Sequence, residues 1–459
     1  MVEAPILSER AFGAVRQDRN RSSAPYNAAH FFSSGPCVVR RLCTPAMSDP
    51  GIERPSDAPP AGWRRAAHGL LLSAPFILLL NIQFGWIVNL WLLVLMFAVL
   101  RRPGALRRAY AALRVPILVS ACLALGYLLP EWLHGDPASR EWRRLLAPVA
   151  TLGLAVVAIE LRPHPRWIWF GLAAAAALAG GTAIVQTLIL DLPREQISSM
   201  NAVVFGDAST LLALACCYGW AANRPGVERR ILAAGAVSAG IASLLAQTRG
   251  AWLALPLLAG AALVSARSPR PIAGLRVGRV VLALLLPTLL AVAFGLERIV
   301  RAHQEIVSYF AAGQVDSSIG IRFELWRQAW GHFLAHPWIG LGKSAWDRMM
   351  STWPAMEHVT TLAGLPHAHN DVLDALAQRG LAGLAGYVAF MGGWLAYFGR
   401  RRAGAAATIG ILLIVAAVVM GLTETFMYSS RTFFLLCWLL CCMAVIGLGE
   451  HEQTCQRGS

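Results

Sequence analysis

The chain has 459 residues, 56% of them hydrophobic and only 14% charged, and its formal net charge is +15. A mean hydropathy of +0.53 excludes a soluble globular protein of this length. Continuous apolar runs of about 20 residues predict an all-α, polytopic membrane protein, and they exclude a membrane β-barrel, which needs shorter alternating segments.

The basic residues and the cysteines exclude further classes. Among the 40 lysine and arginine residues the only lysine is Lys343, and the arginines lie in short connections between apolar runs. No basic, aromatic-rich module for nucleic acid is visible. Most cysteines lie inside apolar runs, where cysteine behaves as a small hydrophobe, and their spacing does not match a zinc site. We therefore predict no nucleic-acid partner and no disulfide framework.

Residues 1–65 are rich in Arg, Ser and Pro and show no cleavable secretory signal. We interpret them as a disordered cytoplasmic tail. Two alternatives stay open. Translation could start at Met47, which would make residues 1–46 an artefact of the start site, or the segment could be a transit peptide.

From residue 66 onward, the apolar runs predict twelve transmembrane helices. The predicted spans are 66–81, 85–100, 115–130, 145–161, 167–190, 202–222, 231–247, 251–266, 279–296, 371–398, 404–422 and 432–449. The first nine spans occupy residues 66–296, the last three occupy residues 371–449, and residues 450–459 form a polar tail.

The distribution of arginine predicts the orientation of these spans. Arginines are concentrated in the connections that follow even-numbered spans, such as Arg101, Arg102, Arg107 and Arg108 after the second. The positive-inside rule places that side in the cytoplasm. Both termini are then cytoplasmic, residues 297–370 form a long outward-facing loop, and residues 450–459 are a cytoplasmic tail.

The outward loop contains one amphipathic helix, in "SIGIRFELWRQAWGHFLAHPW". Its apolar residues recur at helical spacing, with Arg322, Glu324 and Arg327 away from that face. The residues of the apolar face are Ile321, Leu325, Trp326, Ala329, Trp330 and Phe333. We expect this helix to lie on the outer leaflet and to end at His336-Pro337.

Polar residues gather at the outer end of span ten, in "PHAHNDVLDALAQRGLAGL". Intervals of four and three residues place His369, Gly380 and Gly383 on one helical face, where the glycines would admit a neighbouring helix. Asn370 or Asp371 is positioned to cap the helix. His369 is either an interfacial anchor or a functional base.

Other polar residues near this end have open roles. We interpret Asp371 and Asp374 as ordinary first-turn residues and His367 as a loop residue. Asp207, inside span six, is a costly intramembrane carboxylate and is therefore functional or partner-bound. Glu424 is expected to pair with one of the outward arginines.

Three arginines face outward in the predicted topology. Arg249 lies in a short turn between spans seven and eight, Arg322 lies one turn before Trp326, and Arg194 follows span five. Arg249 either snorkels to the lipid headgroups or binds an anion, and Arg322 either faces water on the surface helix or binds the same anion. Arg194 has the weaker case of the three. A planar guanidinium suits a phosphorylated lipid, and a nearby imidazole would be a suitable base for an acceptor hydroxyl.

At these residues the sequence resembles a known family. "HNDVLDALAQRGLAG" is similar to the H-N-x9-G-x-x-G signature of bacterial O-antigen ligases, and "RGAWL" is similar to their R-x3-L element. "GIRFELWRQAW" with "HPWIGLG" resembles the outer-loop core of the wider ligase/polymerase superfamily. The resemblance covers spans seven to ten in motifs and residues 66–449 in topology.

The resemblance implies an inverting, metal-independent glycosyltransferase of the C-type architecture in the bacterial inner membrane, acting at its periplasmic face. The implied donor is undecaprenyl-diphosphate-linked O-antigen polysaccharide, and the implied acceptor is a hydroxyl of lipid A–core. No cofactor is implied. The product is complete lipopolysaccharide.

The resemblance also implies roles for individual residues. The catalytic base falls on His369 and the two arginines that bind the diphosphate fall on Arg249 and Arg322. Asn370, Gly380 and Gly383 are carried over as supporting members of the motif. By position we add Arg194, Trp326 and Asn370 to the predicted donor site.

Three other functions stay open. An O-antigen polymerase or a protein O-oligosaccharyltransferase would use the same donor and the same chemistry. From a different class, a lipid-linked glycan flippase or transporter would explain twelve spans, but transporters place their sites near the middle of the bilayer.

Overall fold

The computed structural model describes residues 59–80, 85–136, 141–191, 201–222, 226–248, 250–252, 254, 300–352, 367–401 and 405–458. Within these ranges the chain is helical with short connections and contains no β-strand, so the all-α prediction is confirmed there. Most of the predicted N-terminal tail, the predicted spans 251–266 and 279–296 for most or all of their length, and residues 353–366 of the long loop lie outside the described residues.

The described helices are named in chain order. They are α1 (Ala61–Leu80), α2 (Gly85–Leu100), α3 (Ala105–Leu133), α4 (Glu141–Leu161), α5 (Arg166–Leu188), α6 (Ala202–Ala222), α7 (Val227–Leu245), α8 (described over 300–312), α9 (Ser318–Ala335), α10 (Lys343–Thr352), α11 (Asp371–Gly399), α12 (Ala405–Gly421) and α13 (Ser430–Gly458). A 3₁₀ turn, Phe426–Tyr428, precedes α13. The last helix continues past residue 449, where the sequence predicted a polar tail.

Among the described helices, five are long and apolar enough to cross a membrane. They are Ala105–Leu133, Arg166–Leu188, Ala202–Trp220, Asp371–Gly399 and Ser430–Glu450. Three shorter apolar helices are Ile87–Leu100, Leu145–Leu161 and Ala406–Gly421. The structure therefore has several membrane-spanning helices, while the number of twelve stays a prediction.

Small residues allow α3 and α11 to cross closely. A Cβ added to Gly126 would lie 2.9 Å from the Cα of Gly386 and 2.6 Å from the carbonyl oxygen of Ala382. No larger side chain fits between the two backbones, as in other close crossings of membrane helices. This contact fixes α11, the helix that begins just after His369 and Asn370, against α3.

Helix α11 is broken at Gly380, which has φ +61° and ψ −152°. In a continuous helix the amides of Leu381 and Ala382 would bond to the carbonyls of Ala377 and Gln378. Here all four groups instead bond to the segment 337–342, which follows α9.

The bonds at this break are all between backbone atoms. The amides of Leu341 and Gly342 donate to Ala377 and Gln378, and the carbonyls of Pro337 and Trp338 accept from Leu381 and Ala382. The prediction that His369, Gly380 and Gly383 share one continuous helical face is therefore wrong. The close neighbour at Gly380 is a loop rather than a helix, and only glycine accepts this positive φ without strain.

Helix α9 begins and ends where the sequence predicted a helix with a stop at His336-Pro337. The Ser317 side chain caps its first turn by accepting a hydrogen bond from the amide of Gly320. The buried face packs into a small apolar core with α10 and the start of α11. The residues of this core include Ile321, Leu325, Ala329, Trp346, Met350, Ala368 and Ala377.

Two details of α9 differ from the amphipathic prediction. Glu324, expected away from the apolar face, is buried, because Arg327 and Gln328 of the same helix donate hydrogen bonds to its carboxylate. Trp330, expected on the apolar face, is 49% exposed. Ile321, Leu325 and Ala329 of the apolar face are therefore buried in the protein core, whereas Trp330 lies on the surface.

A buried ion pair marks the opposite end of the helical bundle. Arg108, in the first turn of α3, donates to both carboxylate oxygens of Glu160 at the end of α4, at 2.9 and 2.7 Å. Arg102 donates to the backbone carbonyl of Glu160. Because α3 has 29 residues, this cluster lies about 40 Å along that helix from its other end, where Glu131 contacts Arg379 of α11.

Candidate active site

His369 occupies a strained backbone position just before α11. Its φ is +50°, in the left-handed region that non-glycine residues rarely adopt. Asn370, the next residue, caps the helix: its Oδ1 accepts from the amides of Val372 and Leu373, and its Nδ2 donates to the carbonyl of Leu422. The predicted cap is confirmed. It holds the residue after His369 against both the helix and the segment around Leu422.

The His369 ring contacts a carboxylate from a different part of the chain. Its Nδ1 lies 2.6 Å from Oε1 of Glu424, in the connection between α12 and α13. The His369 side chain is 17% exposed and that of Glu424 is 12% exposed. A base held by a carboxylate at one ring nitrogen keeps the other nitrogen for chemistry.

Arg322 of α9 reaches the same carboxylate. Its Nη2 donates to Oε2 of Glu424 at 3.1 Å, and its Nη1 donates to the carbonyl of Thr423 at 2.6 Å. The predicted pairing of Glu424 with one of the three arginines is confirmed. Because Glu424 uses separate oxygens for His369 and Arg322, it holds a base and a cation side by side.

The charges around Glu424 keep it ionised. Burial alone would raise the pKa of this carboxyl, but His369, Arg322 and His367 outweigh that effect and lower its pKa to about 2. At neutral pH the cluster therefore contains a fixed negative charge between an imidazole and a guanidinium.

Two predicted arginines, Arg249 and Arg194, lie outside the described residues, and their roles stay predictions. Gly250, which follows Arg249 in sequence, lies against Thr423, since a Cβ added there would be 2.3 Å from the Thr423 hydroxyl oxygen. The chain after α7 therefore contacts the segment that carries Glu424.

Trp326 lies one turn beyond Arg322 on α9 and is half-buried. Its ring makes an edge contact with Phe323, with centroids 5.6 Å apart. Its indole N–H is buried and finds no acceptor among the described residues. The structure thus places Trp326 beside Arg322, and its predicted contact with the donor stays a prediction.

The acidic residues of the first turn of α11 hold the loops around His369. Oδ1 of Asp371 accepts from the amide of Met427, in the 3₁₀ turn after Glu424. Oδ1 of Asp374 accepts from the amide of Ala368 and from Nε2 of Gln378. Asp371 therefore joins the start of α11 to the segment that carries Glu424, and Asp374 ties the residues just before His369 to the first turns of the same helix.

Asp207 is buried in α6, as its sequence position implied. It lies within electrostatic range of both Glu424 and Arg322. An intramembrane carboxylate is costly unless a partner stabilises it. Its position beside this cluster supports a role at the site rather than in helix packing alone.

Sequence reasoning missed the contacts of His367. Its ring lies 4.3 Å from the His369 ring and 4.4 Å from the Tyr428 ring, measured between centroids. Possible metal-ligand atoms of His367, His369 and Glu424 lie within 4.8 Å of one another. The sequence did contain one signal for these contacts. The polar stretch "TETFMYSSR", which includes Glu424 and Tyr428, connects two apolar helices and is too short to be a solvated loop, so its polar side chains need partners within the protein.

The fold and the cluster together define a class: a polytopic, all-helical membrane protein with a base, a carboxylate and a cation gathered at one end of its helices. A family model described as O-antigen ligase matches residues 234–388, from within α7 to within α11. This match confirms the resemblance to the O-antigen ligase family that the motifs indicated. It includes Arg322 and His369, whereas Glu424 lies beyond it. No curated protein sequence matches the chain significantly.

Proposed function

We propose that the chain is an O-antigen ligase. It transfers polysaccharide from undecaprenyl diphosphate to a hydroxyl of lipid A–core, at the periplasmic face of the bacterial inner membrane, and so completes lipopolysaccharide. The observation that carries this proposal is Glu424, whose two oxygens bring a histidine and an arginine together at one bundle end of a membrane protein.

The proposed reaction is a single displacement at the anomeric carbon. With Nδ1 of His369 directed at Glu424, the Nε2 nitrogen accepts the proton of the acceptor hydroxyl. The hydroxyl oxygen forms a bond to the anomeric carbon while the bond from that carbon to the diphosphate oxygen breaks. The diphosphate leaves with the bonding electron pair, and the configuration inverts.

Arg322 serves the leaving diphosphate in this proposal. A guanidinium has five N–H donors, and the contacts with Glu424 and Thr423 use only two of them. The others remain for phosphate oxygens, whose charge increases as the bond breaks. Gly250 lies against Thr423, next to Glu424, and this contact supports Arg249 as a second arginine that binds the diphosphate of the glycan donor. Since the diphosphate leaves ionised, the mechanism requires neither a second acid nor a metal.

Transfer by the purified protein, with carrier-linked glycan as donor and lipid A–core as acceptor, tests this function. We expect His369→Ala to abolish transfer while leaving donor-lipid binding largely intact, because the base does not hold the diphosphate. His336→Ala, an exposed histidine after α9, is the matched control and should transfer normally. Unchanged transfer by His369→Ala would remove this residue from the mechanism.

The main alternative within the matched family is an O-antigen polymerase, which uses the same donor. Deleting the gene separates the two functions. A ligase mutant accumulates long chains on the carrier lipid and makes core-only lipopolysaccharide, whereas a polymerase mutant retains lipopolysaccharide with a single repeat.

A further inference from the structure

The residues around Glu424 include a second histidine that the proposed transfer reaction does not use. His367 lies two residues before His369, and its ring is packed between His369 and Tyr428. The two imidazoles and the Glu424 carboxylate offer three ligand atoms within 4.8 Å of one another. Two histidines and a glutamate form a common protein ligand set for Zn²⁺.

The spacing of these atoms suits a metal ion after small side-chain movements. Zinc binds histidine nitrogens and carboxylate oxygens at about 2.0–2.2 Å, so neighbouring ligands of a tetrahedral ion lie about 3.4 Å apart. Nδ1 of His369 and Oε1 of Glu424 lie closer than that, at 2.6 Å, and they must separate slightly. The remaining separations are at most 4.8 Å, so they must contract by up to about 1.4 Å.

The second oxygen of Glu424 matters for this site. Arg322 binds Oε2, so Oε1 can bind a metal ion without breaking the contact with Arg322. A guanidinium so close to the metal opposes its binding electrostatically, and this favours a metal with strong affinity for imidazole over Mg²⁺ or Ca²⁺.

We propose that His367, His369 and Glu424 form a binding site for Zn²⁺, and that the bound ion inhibits the enzyme. The inhibition rests on the proposed role of His369 as base. A zinc ion on Nδ1 needs the lone pair of that nitrogen, so the ring proton must sit on Nε2. An Nε2 that already carries a proton cannot accept another from the acceptor hydroxyl, and transfer stops.

Direct binding of zinc to the purified full-length protein tests the site without reference to activity. We expect calorimetry to show one Zn²⁺ per chain, and Co²⁺ in its place to give the intense visible absorption of a tetrahedral site. The informative variant is His367→Phe, which keeps an aromatic ring between His369 and Tyr428 but removes both nitrogens. It should weaken zinc binding by more than about 100-fold. His336→Ala should bind zinc like the wild type.

The effect on transfer is measured with the same variants. We expect Zn²⁺ to inhibit wild-type transfer, a chelator to restore it, and zinc to leave the transfer rate of His367→Phe unchanged from the rate of the same variant without zinc. Binding that His336→Ala weakens as much as His367→Phe, or no stoichiometric binding at all, would overturn the site. Stimulation of transfer by zinc would overturn the inhibition. If the purified protein transfers no glycan, the proposed function fails while the binding measurements still decide the metal site.

Discussion

His369 combines a left-handed backbone with a side chain held by a distant carboxylate, and neither feature follows from local sequence preference. Strained backbone conformations persist only where the surrounding structure determines them. Here the Asn370 cap, with its bond to the carbonyl of Leu422, supplies that structure. The imidazole is therefore fixed before any substrate arrives.

Ionised Glu424 should make stability depend on pH in the acidic range. Its pKa falls from 4.5 to about 2 on folding, so the unfolded chain binds the proton more readily. The stabilisation is fully present above pH 4.5 and is lost as the pH falls toward about 2.

The matched variant for this prediction is Glu424→Gln, which cannot ionise. We expect its thermal midpoint in detergent to lie below that of the wild type at neutral pH. The difference between the two midpoints should shrink as the pH is lowered from 4.5 toward about 2. A difference that stays constant with pH would show that Glu424 is not stabilised by its charge.

Arg322 should tolerate lysine only in part. Arginine here contacts a carbonyl and a carboxylate with two different nitrogens, and a single ammonium cannot reproduce that geometry. We expect Arg322→Ala to lower kcat/KM for the donor by about 10- to 100-fold, as for the loss of a charge-assisted hydrogen bond. Arg322→Lys should recover part of this loss. Arg348→Ala, which removes an exposed arginine on α10, is the control, and full activity of Arg322→Ala would contradict the donor role.

At the scale of the element, the break in α11 is the feature that sequence periodicity could not show. The intervals between His369, Gly380 and Gly383 fit a regular helix, and nothing nearby in sequence indicates that segment 337–342 replaces its hydrogen bonds. Helix positions, the Asn370 cap and the end of α9 were predictable because they depend on local chemistry. The break, the buried Glu324 and the contacts of His367 depend on residues distant in the chain.

Gly380→Ala should therefore be far more damaging than a helical glycine substitution. A Cβ at this position would lie 2.5 Å from the carbonyl carbon of Trp338 and 2.6 Å from the carbonyl oxygen of Pro337, and φ is positive. The strained φ costs on the order of 1–3 kcal/mol before any clash is counted. Gly392→Ala on the same helix, where a Cβ would meet nothing within 4 Å, should be neutral or stabilising by up to about 1 kcal/mol. Thermal midpoints in detergent compare the two, and equal midpoints would contradict the prediction.

At the scale of the whole molecule, charge is divided between the two ends of the bundle. The end with Arg108 and Glu160 carries several arginines, and the other end carries the His369 cluster. From the positive-inside rule we predict that the first end lies in the cytoplasm. That orientation is a prediction from the sequence, as was the pairing of Glu424 with an arginine, whereas the other contacts within each end needed the fold.

Thiol labelling tests that orientation. Gly331 on α9 and Arg107 on α3 are both exposed, so a cysteine at either position should be reachable by a reagent. We expect a membrane-impermeant maleimide to label Gly331→Cys in intact spheroplasts and Arg107→Cys only after permeabilisation. The wild-type chain is the control for its own cysteines. Labelling of Arg107→Cys from outside would reverse the topology and place the cluster in the cytoplasm.

The segment 337–342 holds the broken helix through backbone atoms alone, and this has a consequence for how the protein tolerates change. Amide and carbonyl groups are the same in nearly every residue, so the side chain of Trp338, which is 73% exposed, can be replaced without disturbing the join. A single inserted or deleted residue would instead offset every donor from its acceptor. The number of residues in this segment must therefore be kept, and so must the glycines at 340 and 342, where φ is positive and a Cβ at Gly340 would overlap the backbone of Gln378 and Arg379.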